Sequence, residues 1–471
     1  MKKNDETIIT IQDLSVNGEG IGRTGEGTVL FVKDTVPGDV VRVRVMKMKK
    51  TYGYARMMEL ITPSADRVEP MCPIAGPCGG CQLQAMSYGR QLRFKEEKVK
   101  NNLERIGGFE ELPMEPILGM DQPYRYRNKA QYPVGRNKDG KLIAGFFAGR
   151  THSIIENRDC LLGSAENQMI LDCILAHMER CGIEPYDEQS HTGLVRHILI
   201  RTGYFTGEIL VCMILNGSRI PQEEALSDAL FAIPGMHSFS INENKRRTNV
   251  ILGDKERIVR GPGYITDRIG NLTFRISAKS FFQVNPQQTE RMYGLALDYA
   301  GLTGQEVVWD LYCGAGTISL FLAQKAKHVY GVEIVPEAIE DAKENARINE
   351  IGNVTFFTGK AEEIVPEFYR DSHIADHPGQ NCEFAKITSA DRNRPDVIVV
   401  DPPRKGLDAS LIDVMAAASP KRIVYVSCDS ATLARDLRLL CDRGYRVERV
   451  RPVDNFCQTV HVETVCLLTH S

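Results

Sequence analysis

The stretch Val307-Val-Trp-Asp-Leu-Tyr-Cys-Gly-Ala-Gly-Thr317 decides the fold, because an apolar strand runs into two closely spaced glycines and then into a helical pattern. Short apolar runs separated by helical segments follow it at Val329–Glu333, Val354–Phe357, Asp396–Asp401 and Arg422–Val426. Apolar strands that alternate with helices indicate a parallel sheet with helices on both faces. Residues 286–471 are therefore predicted to form a doubly wound α/β domain, whose ligands bind at the carboxyl ends of the strands.

The glycine loop and the strand after it favour one class of ligand. Gly314 and Gly316 let the backbone approach a ligand closely, and Glu333, which ends the next strand, can hold both hydroxyls of a ribose. The loop has no Lys-Ser/Thr, which argues against a phosphate-binding ATPase loop. A nicotinamide cofactor stays an alternative, although the third glycine of its usual loop is missing. S-adenosyl-L-methionine, which carries a ribose and no phosphate, fits these residues better.

Three chemically capable residues fall at or near other strand ends. Asp401 closes the fourth strand ahead of two stiff prolines, and Cys428 follows the fifth. The helix predicted from Ala431 directs its positive dipole end at this thiol and is expected to favour the thiolate, although a cysteine here also fits a simple core position. Glu463 stands near the start of an apolar strand, where it is either a base or a solvated edge residue.

The composition is ordinary except for its cysteines. The chain has 471 residues, enough for about two to four domains, and a net charge of −3. No apolar run approaches the ~18 residues of a membrane helix, and the charged start of the chain predicts no signal peptide. We therefore expect a monomeric cytoplasmic protein with no membrane partner. The thirteen cysteines, an odd number, argue for reduced thiols with a metal-binding or catalytic role.

Three of these cysteines lie in the Pro/Gly-rich loop Cys72-Pro-Ile-Ala-Gly-Pro-Cys78-Gly-Gly-Cys81. Glycines let such a loop fold around a metal centre on which thiolates converge, so the spacing predicts a metal site. A site of this kind needs a fourth ligand, for which Cys160 is the nearest candidate. Spacing alone fits zinc as well as an iron–sulfur cluster. A helix with alternating charge, roughly from Tyr88 to Ile106, is predicted to follow.

Two stretches suggest contact with RNA. Residues 1–66 are predicted to form a small β-barrel, in which Val41, Val43 and Val45 share one strand face, basic residues share the other, and a bulge is expected at Met46. A basic barrel face is typical of RNA binding, with a solvated strand face as an equal alternative. In the central α+β domain, residues 67–285, tyrosines interleave with arginines and lysines over 124–132, which fits either unstacked RNA or a strand that packs a core.

Six motifs occur here in one order: Cys72-x5-Cys78-Gly-Gly-Cys81, Phe281-Phe-Gln-Val-Asn285, Asp310-Leu-Tyr-Cys-Gly-Ala-Gly-Thr317, Asp401-Pro-Pro-Arg-Lys-Gly406, Ser427-Cys428 with Ala431-Thr-Leu-Ala-Arg-Asp436, and His461-Val-Glu463-Thr464. Together they resemble the RNA uridine-5-methyltransferases, in particular the branch that modifies 23S ribosomal RNA and carries an N-terminal TRAM domain and an iron–sulfur cluster. The resemblance covers essentially the whole chain, and its motifs are highly specific.

The resemblance implies a Rossmann-like methyltransferase domain at 286–471 and a TRAM-like, RNA-binding barrel at 1–66. It implies contacts to S-adenosyl-L-methionine from Gln283, Tyr312, Glu333 and Asp401, and a 4Fe-4S cluster held by Cys72, Cys78, Cys81 and Cys160. Cys428 is implied to be the nucleophile that adds to carbon 6 of uracil, and Glu463 the base that removes the carbon-5 proton. The implied partner is 23S ribosomal RNA, with the T-loop uridine of transfer RNA as the alternative.

Two places depart from the family pattern. Ser430 stands where the family usually has a proline, which predicts a less stiff loop after the nucleophile. Residues 368–394 are a long polar insertion, expected to be an exposed loop without a role. Two other classes have less support: an amino-group methyltransferase would carry an aromatic residue in place of Arg404, and a non-enzymatic or redox iron–sulfur protein would leave Cys428 and Glu463 unexplained.

Overall fold

A computed structural model describes residues 1–149, 151–369 and 394–470, and its N-terminal part is a closed barrel. The barrel strands, in the order β1–β2–β3–β5–β4, are β1 (Glu6–Leu14), β2 (Gly20–Arg23), β3 (Val29–Val32), β4 (Val40–Met48) and β5 (Tyr52–Thr62). Alternate valines of β4 are buried in its core, while Arg42 and Arg44 are exposed, as the alternation predicts. The pairing of β4 with β5 shifts between Val45 and Lys47, which confirms the bulge at Met46.

The central part begins with a long helix and continues as a seven-stranded sheet in the order β12–β11–β10–β9–β6–β7–β8. Its elements are α1 (Tyr88–Arg105), β6 (Lys129–Arg136), β7 (Leu142–Phe147), β8 (Ile154–Glu156), α2 (Glu166–Arg180), β9 (Val195–Thr202), β10 (Ile209–Leu215), α3 (Glu223–Phe231), β11 (Met236–Glu243) and β12 (Lys255–Arg260). Apolar side chains of α2 and α3 form one core with this sheet. In contrast, α1 contributes Val99 and Leu103 to a core of the C-terminal sheet.

A hairpin, β13 (Tyr264–Ile269) and β14 (Leu272–Ser277), leads into the C-terminal α/β part. The elements there are α4 (Pro286–Ala300), β15 (Val307–Leu311), α5 (Thr317–Ala323), β16 (His328–Glu333), α6 (Pro336–Ile348), β17 (Val354–Thr358), α7 (Ala361–Tyr369), β18 (Val397–Val400), α8 (Ala409–Ala418), β19 (Arg422–Ser427), α9 (Ser430–Cys441), β20 (Tyr445–Val453) and β21 (Glu463–His470). The sheet order is β17–β16–β15–β18–β19–β21–β20. Every observed pairing is parallel except those of β21, which runs antiparallel to both of its neighbours.

Helices cover both faces of this sheet, as predicted. One core contains α4, α5 and α6, and the other contains α7, α8 and α9 together with α1. The order of the strands reverses between β15 and β18, which is where ligands bind in open α/β sheets. The insertion predicted at 368–394 starts within α7, and its residues 370–393 lie outside the described part of the chain. No helix in the described ranges is long and apolar enough to cross a bilayer.

Candidate active site

Five neighbouring strands bring most of the predicted site residues to one edge of the C-terminal sheet. Glu333 is the last residue of β16, and Tyr312, Asp401 and Cys428 come soon after the ends of β15, β18 and β19. Glu463 is the first residue of β21, and because this strand is antiparallel it starts at the edge where the others end. Neighbouring strands lie about 4.8 Å apart, so Asp401, Cys428 and Glu463 occupy consecutive places along the edge.

Strand pairing sets the positions of the thiol and the glutamate directly. Ser427 pairs with Thr464 across the β19–β21 ladder, so the residues one step further, Cys428 and Glu463, stand side by side at its end. The Glu463 side chain is buried and the Cys428 side chain is partly exposed. The prediction that these two residues lie on adjoining strand ends is confirmed. The arrangement leaves the thiol open to a ligand and the carboxyl group next to it.

The glycine loop after β15 is shaped to leave space above the sheet edge. The φ angle is +53° at Gly314, where an added Cβ would meet no described atom within 4 Å. At Gly316 φ is +76°, and an added Cβ would come within 2.9 Å of the Phe356 ring. Glu333 accepts hydrogen bonds from the backbone N–H groups of Gly314 at 3.2 Å and Val335 at 3.0 Å. These bonds hold the carboxylate beside the loop, where it can bind ribose hydroxyls.

Acidic groups crowd the centre of this edge. Asp310 is fully buried, accepts a 2.5 Å hydrogen bond from Ser319 Oγ, and keeps its Oδ1 atom without a hydrogen-bond partner among the described residues. Burial, and then the charge of Asp310, raises the pKa of Asp401 to about 7. Burial, and then the charge of Asp401, raises the pKa of Glu463 to about 8. A positively charged ligand at this edge would relieve the repulsion between these carboxylates.

The turn Cys428–Ser430, called the nucleophile turn after the role predicted for Cys428, bears on two of the sequence predictions. Burial, and then the charges of Glu463 and Asp401, raises the pKa of Cys428 to about 11, so the thiolate expected at this helix start is not the favoured form at neutral pH. Asp429 caps α9 with its own carboxylate, which accepts hydrogen bonds from two backbone N–H groups of the first turn, so these donors are occupied by Asp429 and not by the thiol. At Ser430, where the family usually has a proline, the hydroxyl accepts a 2.8 Å hydrogen bond from Asn102 Nδ2.

Two cations close to this edge, Arg404 and Lys98, were not singled out from the sequence as site residues. The charge of Arg404 lowers the pKa of both Cys428 and Glu463, against the larger effect of burial. Burial, and then the charges of Arg404 and Lys98, lowers the pKa of His461 to about 4. Lys98 comes from α1, more than 300 residues earlier in the chain. The helical spacing of polar residues in α1 is the signal that could have identified this face.

Gln283 lies on the segment that joins β14 to α4. Its side chain is nearly buried, and its backbone carbonyl accepts a 2.9 Å hydrogen bond from Asn128. Nearby, Ser280 Oγ donates to Asp341 of α6, the helix that follows Glu333. The segment therefore adjoins the glycine-loop side of the site. Phe281, two residues before Gln283, leaves 70% of its surface exposed.

The four predicted metal ligands are free thiols within electrostatic range of one another. Burial, and then the charges of Cys160 and Cys72, raises the pKa of Cys78, and burial followed by Cys160 and Cys78 raises that of Cys81 to about 12. The backbone N–H of Gly80 donates to Cys78 Sγ at 3.4 Å. Over residues 1–149, 151–369 and 394–470, no three His, Cys, Asp or Glu side chains converge closely enough to hold a metal ion. The four thiols therefore lie near one another, but they are not arranged as the ligands of a metal ion.

The interpretation of 124–132 as a stacking surface for RNA is wrong for two of its tyrosines. Tyr126 and Tyr132 are fully buried, and the Tyr126 hydroxyl donates a 3.0 Å hydrogen bond to the carbonyl of Cys457. Arg125 is engaged in an ion pair with Asp159. The alternative, a strand that packs a core, is observed for Tyr132 in β6, whereas Tyr126 is buried in the segment before this strand.

Two family models and the relatives named below match this chain. Residues 206–471 match the family described as tRNA (Uracil-5-)-methyltransferase, and residues 3–58 match the TRAM domain. A protein of Halalkalibacterium halodurans called an uncharacterized RNA methyltransferase is 48% identical over 99% of this chain and 98% of its own length. A second protein of that name, from Clostridium tetani, is 46% identical over 100% of this chain and 97% of its own length.

A solved structure is similar over nearly the whole chain. The crystal structure of Pyrococcus abyssi tRNA (uracil-54, C5)-methyltransferase in complex with S-adenosyl-L-homocysteine has a TM-score of 0.75 and 26% sequence identity. The match covers 98% of this chain and 100% of the Pyrococcus chain, so it includes the barrel as well as the α/β part. The chain belongs to the tRNA (uracil-5-)-methyltransferase family and is an RNA methyltransferase with an N-terminal TRAM domain.

Proposed function

We propose that this protein transfers the methyl group of S-adenosyl-L-methionine to carbon 5 of a uridine in 23S ribosomal RNA. The observation that carries the proposal is the placement of Asp401, Cys428 and Glu463 on three consecutive strand ends beside the glycine loop. Carbon 5 of uracil is a poor nucleophile, so the reaction needs a thiol that activates the ring and a base that takes the carbon-5 proton. The site offers both groups side by side.

In the proposed reaction the Cys428 thiolate forms a bond to carbon 6, and the electron pair of the 5,6 double bond moves toward the carbonyl oxygen at carbon 4. Carbon 5 then bonds to the methyl group as the bond from methyl to the sulfonium sulfur breaks. Glu463 takes the proton from carbon 5, the 5,6 double bond re-forms, and Cys428 leaves as a thiolate. The uridine must leave the RNA stack to reach this thiol, because the sheet edge cannot enter a folded helix.

The residues at the edge suit the methyl donor. Glu333 would hold its ribose hydroxyls, while Gln283, Tyr312 and Asp401 would line the same side of the site. When bound, S-adenosyl-L-methionine supplies the methyl group and a positive charge. That charge would favour ionised Asp401 and Glu463, whose pKa values are raised to about 7 and about 8. Glu463 would thus enter the reaction ionised, ready to take the carbon-5 proton after the methyl group has been transferred.

A uridine in the T-loop of transfer RNA is a second candidate substrate, favoured by the similarity to the Pyrococcus enzyme. Because that similarity extends over the barrel, the presence of a barrel does not by itself separate the two substrates. The cysteine loop, characteristic of the ribosomal branch that the motifs resemble, is the argument for 23S ribosomal RNA.

Mass-spectrometric mapping of 5-methyluridine tests the choice. Ribosomal and transfer RNA would be isolated from the source strain with the gene deleted and from the same strain carrying either the wild-type gene or the Cys428→Ala variant. We expect 5-methyluridine to disappear from 23S ribosomal RNA in the deletion strain, to return with the wild-type gene and to stay absent with the variant. Loss confined to transfer RNA would favour the second candidate, and unchanged 5-methyluridine in both RNAs would refute the proposed function.

We expect kcat/KM for RNA methylation to rise between pH 6.5 and pH 8.5. Glu463 acts as a base only when ionised, and with a pKa of about 8 only about 3% is ionised at pH 6.5. The Cys428 thiolate also becomes more abundant with pH, because its pKa is raised to about 11. With the methyl donor held well below saturation, the profile of kcat/KM reports the free enzyme, to which these values refer. A profile that is flat or falls over this range would contradict the assignment.

We further propose that Cys72, Cys78, Cys81 and Cys160 hold a 4Fe-4S cluster. Support comes from their mutual electrostatic range and from the N–H of Gly80, since backbone donors to cysteine sulfur are typical of such clusters. An added Cβ at Gly79 would come within 3.0 Å of Gly149 N and Phe147 O, so the loop needs glycine there. Methyl transfer is not a redox reaction, so the cluster would have a structural role.

Anaerobically purified protein is expected to be brown, with about four iron atoms and four sulfide ions per chain. Cys160→Ala should lose the visible absorbance and most of the iron. Cys173→Ala is the matched control, because Cys173 is also partly buried and lies in α2, and it should keep both. Colourless protein with one zinc ion per chain would contradict an iron–sulfur cluster.

A further inference from the structure

One face of α1 carries a polar stripe at helical spacing, although the helix packs against a sheet core. Its members are Tyr88, Gln91, Lys95, Lys98 and Asn102, at intervals of three and four residues. Residues with this spacing lie above one another on one side of a helix. The stripe faces two loops, the nucleophile turn and the base loop, which we define as residues 454–462 between β20 and Glu463. Each member of the stripe donates a hydrogen bond to one of them.

The strongest contact is a buried ion pair at the start of the base loop. Lys95 and Asp454 form a salt bridge in which both side chains are 0% exposed. Lys95 Nζ also donates to the carbonyl of Phe456 at 3.0 Å, and the Tyr88 hydroxyl donates to the second carboxylate oxygen of Asp454 at 2.9 Å. Removing two charges from water is costly, so the pair adds little net stability, but separating the partners would leave two buried charges unpaired. The pair therefore holds Asp454 against α1.

Further along the base loop, two more residues of the stripe donate hydrogen bonds to it. Gln91 Nε2 donates to Gln458 Oε1 at 3.0 Å, and Lys98 Nζ donates to the carbonyl of Val460 at 2.9 Å. The base loop is therefore held at residues 454, 456, 458 and 460, up to three residues before Glu463. A loop tied at alternate positions along its length can hardly change the height of Glu463 above the sheet without breaking one of these bonds.

The last member of the stripe reaches the other catalytic loop. Asn102 Nδ2 donates to Ser430 Oγ at 2.8 Å, and Ser430 begins α9 two residues after Cys428. Between these polar contacts, Val99 and Leu103 pack into the same apolar core as Leu433 of α9. One rigid helix thus holds both loops and sets the distance between them.

We propose that α1 is the positioning element of this active site, with Lys95 as a positioning residue for Glu463 and Asn102 as a positioning residue for Cys428. The inference rests on the proposed function, because it takes Cys428 as nucleophile and Glu463 as base. A displacement of a reacting group by about 1 Å costs on the order of 10²-fold in rate. Removing the contacts at one end of α1 should therefore slow one step, either adduct formation or adduct conversion, and leave the rate of the other step unchanged.

The test measures two rates in a single turnover: formation of the covalent enzyme–RNA adduct and its conversion to methylated RNA, both followed on denaturing gels. Lys95→Met combined with Asp454→Asn removes both buried charges together, so neither is left unpaired. We expect this double variant to slow adduct conversion on the order of 10²-fold, with adduct formation near the wild-type rate. Asn102→Ala is expected to show the reverse pattern, slow formation and normal conversion.

Lys100→Met is the matched control, because Lys100 lies on the exposed face of α1 with its side chain 63% exposed, and both rates should stay unchanged. If the double variant does not fold, as judged by thermal unfolding, Lys98→Met removes the bond to Val460 together with a positive charge near His461 and Asp429, and it should slow conversion in the same direction. If the folded variants slow both steps equally, or slow neither, the positioning role of α1 is overturned. The proposed function would still stand in that case, provided that the wild-type enzyme forms the covalent adduct. A wild-type enzyme that forms no adduct would overturn both.

Discussion

Cys428→Ala is expected to abolish methyl transfer to RNA, with a loss on the order of 10⁶-fold in the chemical step. Without the thiol no bond to carbon 6 forms, and carbon 5 stays too weak a nucleophile to accept the methyl group. The residues proposed for the methyl donor lie mainly on the glycine-loop side, so the donor should bind with nearly unchanged affinity. Single-turnover transfer of labelled methyl groups measures the loss, and calorimetric titration with S-adenosyl-L-homocysteine measures the binding.

Cys441→Ala is the control for any effect of replacing a partly buried cysteine that has no proposed role in the reaction. Cys441 is also partly buried and lies at the opposite end of α9, away from the sheet edge. Its replacement should leave methylation near the wild-type rate. A Cys428→Ala protein that binds the donor and still methylates RNA at a comparable rate would refute covalent catalysis by this residue.

The strand-end residues could be predicted from the sequence because their signals are local. Short apolar strands define where each strand ends, and Glu333, Asp401 and Cys428 stand directly at or after those ends. Since parallel strands end at one edge, their proximity follows from the architecture. The position of Glu463 does not follow from local signals, because it depends on the insertion of β21 between β19 and β20, antiparallel to both. The motif order, rather than periodicity, placed it correctly.

The surroundings of the site could not be predicted in the same way. Lys95 and Asp454 are 359 residues apart, and no pattern within α1 reveals which loop its polar face will meet. The pKa of Cys428 is raised first by burial and then by two carboxylates that other strands bring to the site, and neither effect can be read from the local sequence. Tyr126 and Tyr132 show the same limit, since a pattern of alternating tyrosines does not tell which of them other elements will bury.

Glu463→Gln is expected to have the second large effect, of a different kind from that of Cys428→Ala. Glutamine keeps the shape of the side chain but cannot accept the carbon-5 proton, so the methylated adduct should form and then persist. Loss of a general base typically costs about 10²–10⁴-fold, and here the loss should appear in adduct conversion. The fold should tolerate the change, because with a pKa of about 8 the Glu463 carboxyl group is already mostly neutral at pH 7.

The measurement is a slowly migrating, protease-sensitive RNA band on a denaturing gel that contains the labelled methyl group. Glu448→Gln applies the same chemical change on the neighbouring strand β20, where the carboxylate is paired with Arg446, and should give no such band. Normal product formation by Glu463→Gln without an adduct would show that another group takes the proton. Asp401 would then be the next candidate, because its charge raises the pKa of both Glu463 and Cys428 and it stands on the adjoining strand end.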